Sequence, residues 1–330
     1  MGGAVTLTRI LAEPGGVAAL DAAGWTALLT VARAERLLGT LAWRLHGLAV
    51  PARVASILKD ARDVAAHERR TALWEAEMAR RALAALSEPV VLLKGTAYAA
   101  AGLMAGQGRS IGDLDLLVPR ASLDAVEAAL ISHGWEWVKP DPYDDFYYRR
   151  WMHELPPLIH RERDRMADVH HTILPLTARP TPDAAALIAD AVPLGNGLSV
   201  LSPTDMIVHS AAHLFADGDL AGGLRNLWDI RCLLAEFGGD GLFERARLHQ
   251  LERAVARAVR LVDVFYGDAP VTMRDRPYVR RLLAHDDWGR PVQRLTRAGF
   301  YIRSHGLRMP PAMLARHLWI KWRKPAPASR

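Results

Sequence analysis

The spacing of apolar residues changes twice along the 330-residue chain. From Val17 to Ala85 apolar positions recur every three or four residues, as in Trp25–Leu37 and Val64–Ala84, the period of an amphipathic helix. At Pro89-Val90-Val91-Leu92-Leu93-Lys94 the pattern becomes a short unbroken apolar run, suited to a buried strand. Gly95 then opens a predicted helix through Ala101, and Gly102–Gly108, with its three glycines, reads as a loop. Asp113-Leu114-Asp115-Leu116-Leu117-Val118 is a second strand, ended by Pro119. Ser122 is placed as the N-cap of a helix reaching about His133.

A run of strands is predicted next: Trp135–Val138, Phe146–Trp151, Pro157–Arg161 and Met166–Thr172. Between the last two, Arg161-Glu162-Arg163-Asp164-Arg165 reads as a solvated hairpin turn, because its alternating signs largely cancel. Beyond Pro175 come a Pro-rich connector, a short helix and a brief strand ending near Leu201. Ser202-Pro203-Thr204-Asp205 is a helix start, with the remainder helical to about Trp322. The order predicts an α+β fold in three parts: a helical region over 1–87, a small mixed sheet with its helices over 88–201, and a helical region over 202–330.

Composition narrows the class without choosing a function. Half the residues are hydrophobic and 24% are charged, a globular mix rather than a disordered one. A net charge of +6 and a pI near 9.7 suit an anionic partner such as a nucleoside triphosphate, RNA or a membrane surface. Part of that excess lies in His317–Lys324, read as a terminal helix packed by its tryptophans. Cys232 is the only cysteine, so an intrachain disulfide is excluded and a reducing compartment is implied. The N-terminus lacks a signal-peptide pattern and no apolar stretch is long enough to cross a bilayer, so a soluble cytoplasmic protein is expected.

The chemistry is concentrated in the Asp strand. Residues i and i+2 of a strand share a face, so Asp113 and Asp115 project together while Leu114 and Leu116 face the core. Such a pair suits magnesium, which takes oxygen ligands from one or two carboxylates and from substrate phosphates. Upstream, Lys94-Gly95-Thr96 stands where a strand turns into a helix, and a helix N-terminus offers unpaired N–H groups to a phosphate. A tight turn explains that tripeptide equally well, and Asp-x-Asp alone is unspecific. Their order, strand, Gly-Thr turn, helix, then Asp-x-Asp strand, is the stronger signal.

That order resembles the nucleotidyltransferase superfamily of the DNA polymerase beta type. The likeness is closest to a largely uncharacterised bacterial family with a Leu-Lys-Gly turn and an Arg-x-x-x-Asp-x-Asp-Leu-Leu-Val strand. It rests on Leu92–Thr96, Arg109 with Asp113–Val118, Asp168-Val169-His170, Leu201-Ser202-Pro203, His209, His213 and Leu227–Ile230, and so spans roughly Val90–Leu234. Thr96 stands where the wider superfamily usually has Ser or Gly, and the loop from Gly95 to Asp113 is longer than in compact members. The resemblance implies that Asp113, Asp115 and Asp168 hold two magnesium ions, and that Lys94, Gly95, Thr96 and Arg109 bind the nucleotide. It also makes Asp168 the general base, with Glu154 and Glu162 as competitors. The implied activity is transfer of a nucleoside monophosphate from an NTP, ATP by analogy, to a hydroxyl or amine of a small molecule or protein, with release of pyrophosphate. Nucleic acid fits less well as acceptor, because no concentrated basic and aromatic surface is evident. The alternatives are a noncatalytic nucleotide-binding or interaction module on the same fold, and an RNA-modifying enzyme.

Histidines offer a rival constellation. His209 and His213 are four apart on a predicted helix, a spacing that can place two imidazoles on one metal, while His170 and His171 point to opposite faces of a strand. Packing or hydrogen bonding to the sheet is the expectation for all four. Arg225 and Asp229, one helical turn apart, are expected to form a local ion pair.

Overall fold

The computed structural model describes residues 2–308, together with Leu314 and Trp319. The basic stretch His317–Lys324 lies, Trp319 apart, outside the described residues. Among them, no helix is long and apolar enough to cross a membrane.

The fold is α+β, a seven-stranded mixed sheet with helices before and after it. The strands are β1 (Val91–Leu92), β2 (Asp113–Leu117), β3 (Trp135–Trp137), β4 (Leu158–His160), β5 (Met166–His170), β6 (Val192–Pro193) and β7 (Ser199–Val200). Their order across the sheet is β3-β4-β5-β2-β1-β7-β6. β2 runs antiparallel to β1 and parallel to β5, so the two strands that carry aspartates are neighbours at the centre. Leu114, Leu116, Ala167 and Val169 are buried, which satisfies the alternation expected of strands with one charged face.

The N-terminal region is helical, as its 3.6-residue period requires. The helices span Gly3–Ala12, Ala22–Ala34, Leu38–Arg44 and Ala52–Ala82; the first lies upstream of the predicted start. After the sheet, Ser202 caps the helix Pro203–Ala212 by accepting from the Asp205 N–H. A π-helical turn, His213–Asp217, follows, and then the helix Gly223–Phe237. One continuous apolar core runs from Leu7 and Leu41 through Leu92, Leu116 and Val169 to Trp228 and Leu261. Two glycines bring the first region onto the loop before β2. A Cβ on Gly39 would stand 2.5 Å from the Gly108 carbonyl oxygen, and Gly108 itself has a φ of +63°.

Three local predictions are corrected. Phe146–Trp151, rich in strand-favouring aromatics, belongs to a helix, Pro142–Trp151. On it Phe146 and Tyr147 both pack edge-on against Trp151, and Arg149 bonds Asp145 one turn back and Glu127 on the preceding helix. Ser122 does not cap; it closes a 3₁₀ turn, Arg120–Ser122, that runs straight into the helix Leu123–Ser132. The Arg161–Arg165 turn is anchored rather than merely solvated. Arg163 forms an ion pair at 2.7 Å with Glu75, buried on the helix Ala52–Ala82, and stacks 4.7 Å from the Trp135 ring.

Candidate active site

The register of the central strands builds the site. Asp115 lies level with Asp168 and Asp113 with Met166, so Asp113, Asp115, Asp168 and His170 all project from one face of the sheet. Oxygens of Asp113, Asp115 and Asp168 come within 4.8 Å of one another. Asp113 is exposed, Asp115 is buried and Asp168 is intermediate. One oxygen of Asp168, Oδ1, is buried without a hydrogen-bond partner among the described residues.

Lys94 reaches this face because of where β1 stops. The Leu93 N–H donates to the Asp115 carbonyl at 3.0 Å, and the next residue turns sharply. Lys94 has a φ of +48°, a left-handed conformation that costs a side-chain-bearing residue about 1 kcal/mol. Its ammonium lies 2.6 Å from Asp115 Oδ1, and the same oxygen is 3.0 Å from His170 Nε2. Burial opposes charge on Asp115, but Lys94 and His170 together hold its carboxyl well below the usual carboxylate range. Burial likewise opposes charge on Lys94, yet Asp115 keeps it protonated and raises it above the usual lysine value. Asp168 has no such cation. Burial first, and then the charges of Asp115 and Glu154, push its carboxyl up to about 7. The Lys94 ammonium thus stands against Asp115, Asp113 and Glu154, with Asp168 clustered beside the first two, an excess of negative charge that a divalent cation can balance.

The other residues of the turn face inward. Thr96 is buried and its hydroxyl donates to the Asp113 carbonyl at 3.4 Å, bracing the carboxylate strand. Gly95 makes room for Arg109, whose Nε would stand 2.8 Å from a Cβ at that position. Arg109 pairs with Asp229 at 3.0 Å, rather than with Asp113 or Asp115, and lies over the Tyr98 ring. Asp229 in turn holds Arg225, its partner one helical turn away, and Arg225 donates to the Thr40 hydroxyl. A buried chain therefore runs from the Gly95 turn through the helix Gly223–Phe237 to the N-terminal helices. The side chains of Thr96 and Arg109, expected at the nucleotide, are both engaged in supporting it.

Of two further residues beside the site, Glu154 is a rival candidate for general base in the sequence and His153 stands out only in the structure. His153 and Glu154 follow the aromatic helix, and Glu154 forms an isolated antiparallel bridge with His170. His209 is buried, and His213 is exposed at the π-helical turn; both lie near enough to feel the Lys94 charge. Burial, and then Lys94, keep His209 neutral, well below the usual histidine value. Glu162, the other candidate base, belongs to the turn Arg161–Arg165 and is not part of either cluster of possible metal ligands among the described residues.

Residues 21–267, which include every residue of the site, match a family described as uncharacterised nucleotidyltransferases. No curated protein matches the chain. With the match covering well over half of its length, the chain belongs to the uncharacterised nucleotidyltransferase family.

Proposed function

We propose that the protein is a magnesium-dependent nucleotidyltransferase, moving a nucleoside monophosphate from a triphosphate, ATP by default, to a hydroxyl or amine of a small molecule or protein. The observation that carries this reading is the parallel register of β2 and β5, which aligns Asp168 with Asp115 on the face that also bears Asp113. The residues fit the ion: the carboxylate excess and the unpartnered Asp168 Oδ1 are what a hard divalent cation satisfies. Asp113, Asp115 and Asp168 would hold two magnesium ions, which when bound neutralise triphosphate charge.

The chain's own groups supply the rest. Asp168 takes the proton from the acceptor hydroxyl or amine as the new bond to the α-phosphorus forms and pyrophosphate leaves. Lys94 orients Asp115 and adds positive charge beside the departing pyrophosphate. Backbone N–H groups of Gly95 and Thr96 face the phosphates at the helix start. Thr96 and Arg109 hold that turn and its neighbouring strand in place, so that positioning does most of the work. The lone, buried Cys232 fits a cytoplasmic setting.

The test is incubation with magnesium and each α-labelled triphosphate, with cell extract as the source of acceptors. Label transfer that disappears in Asp113→Ala and Asp115→Ala is the expected result. Tight nucleotide binding with neither transfer nor pyrophosphate release, across a broad acceptor screen, would favour a noncatalytic nucleotide-binding module. Co-purifying nucleic acid held with a steep salt dependence would point to RNA instead.

A further inference from the structure

We propose that His153, Glu154 and His170 form a second metal site, beside the carboxylate triad and chemically distinct from it, that takes a borderline transition metal such as zinc. Two imidazoles and one carboxylate are a donor set for zinc or cobalt, whereas the all-oxygen triad suits magnesium. The spacing agrees. Donor atoms on a tetrahedral zinc, at about 2.0–2.1 Å from the ion, stand about 3.3 Å from one another. Glu154 Oε2 lies 3.4 Å from His170 Nδ1 and 3.8 Å from His153 Nε2, and donor atoms of all three residues fall within 4.8 Å of each other.

The state of His170 is the independent observation. Its ring is 2% exposed, yet among the described residues Nδ1 has no hydrogen-bond partner. Its other nitrogen, Nε2, is 3.0 Å from Asp115 Oδ1. Metal-bound histidines characteristically donate their second N–H to a carboxylate, which fixes the tautomer and leaves the opposite nitrogen for the ion. Asp115 performs that service here. The His153 ring is tilted 33° to that of His170 at a centroid separation of 5.2 Å. The backbone holds both faces of the site, since the Leu155 N–H donates to Val169 and the His171 N–H donates to His153. Three protein ligands leave a fourth position open. Because one imidazole joins the two sites, metal at His170 would fix the orientation of Asp115 for the triad.

The inference does not rest on nucleotidyl transfer, and its test is read without activity. Metal-stripped full-length protein is titrated with Co2+ in excess Mg2+, followed by visible absorption, with bound metal counted by atomic emission. One Co2+ per chain, with the strong bands of a four- or five-coordinate nitrogen-containing site, is expected. That uptake should survive Asp113→Asn and weaken by roughly 10- to 100-fold or more in His153→Ala and Glu154→Gln, since loss of even an outer partner has that effect. Weak bands of a six-coordinate oxygen site, no uptake at all, or uptake lost in Asp113→Asn but kept in His153→Ala would overturn it. The wild-type spectrum by itself separates a nitrogen-containing site from a six-coordinate oxygen site or no site, so a variant that fails to fold leaves the test standing.

Discussion

Asp168 and Asp205 are both withdrawn from water, but their surroundings treat them in opposite ways. Asp205, on the helix that follows the sheet, is fully buried, and each of its oxygens is used. Arg245 approaches both as a fork, at 2.5 and 2.6 Å, while Ser202 donates at 2.8 Å and His249 lies 3.2 Å away. Burial opposes its charge, but His249, Arg245 and Ser202 outweigh burial and hold its carboxyl below the usual value. Asp168 faces carboxylates instead, keeps one oxygen unpartnered, and is pushed up to about 7. A buried carboxylate whose partners are complete is a fastener. One surrounded by like charge is a site for a ligand that the chain does not itself supply.

Four measurements test this contrast. The largest effect belongs to Asp205→Ala, which removes the buried carboxylate that Arg245, His249 and Ser202 share and should lower the denaturant-measured unfolding free energy by about 3–5 kcal/mol. Transfer per folded molecule should stay unchanged. Asp168→Asn should do the reverse, reducing label transfer by roughly 10²–10³-fold, the range for losing one preorganised charge-stabilising group. Its melting temperature at pH 8 should be no lower than wild type; a drop as deep as that of Asp205→Ala would erase the distinction.

The next effect is in the pH dependence of metal-free protein. Asp168 keeps its proton longer when folded, so its contribution to stability falls as pH rises from about 4 to about 7, and Asp168→Asn should flatten that slope. Asp205 is depressed when folded, so its contribution is present above pH 4 and is lost as the pH drops through its lowered value. Thermal melts across both ranges should therefore show slopes of opposite sign. The smallest effect is backbone strain: among these groups, positive φ occurs at Lys94 and not at Ser202, Asp205, Arg245 or His249. Lys94→Gly should be more stable than Lys94→Ala by about 1 kcal/mol, and equal stabilities would remove strain from the account.

Much of this was legible in the chain. The alternation of Asp113 through Leu117 announced a strand with one charged and one apolar face, and the structure has it. The placement of Asp168 depended on which strand β5 would join, a register that no local pattern encodes. Phe146–Trp151 misled because aromatic residues favour strands intrinsically, whereas Arg149 finds Glu127 far back in the chain and fixes a helix. The destination of Arg109 was hidden for the same reason, since Asp229 lies on a helix beyond the sheet. The sequence marks Glu154 only as a rival general base, and His153 not at all, because the segment that carries them gives no periodic signal: Glu154 forms an isolated bridge rather than part of a regular strand. His170, two residues after Asp168 and on its face, was the pointer to His153.

The contact of Gly39 with Gly108 and the buried chain Arg109–Asp229–Arg225–Thr40 have a consequence for modularity. The loop that delivers the carboxylate strand is fastened through Gly108 to the first helices and through the next residue, Arg109, to the helix Gly223–Phe237. A sheet excised alone, or grafted onto another scaffold, would carry its aspartates but lose the walls that aim them. The smallest transplantable unit therefore includes material from both flanks, and exchange between relatives should succeed only when all three segments travel together.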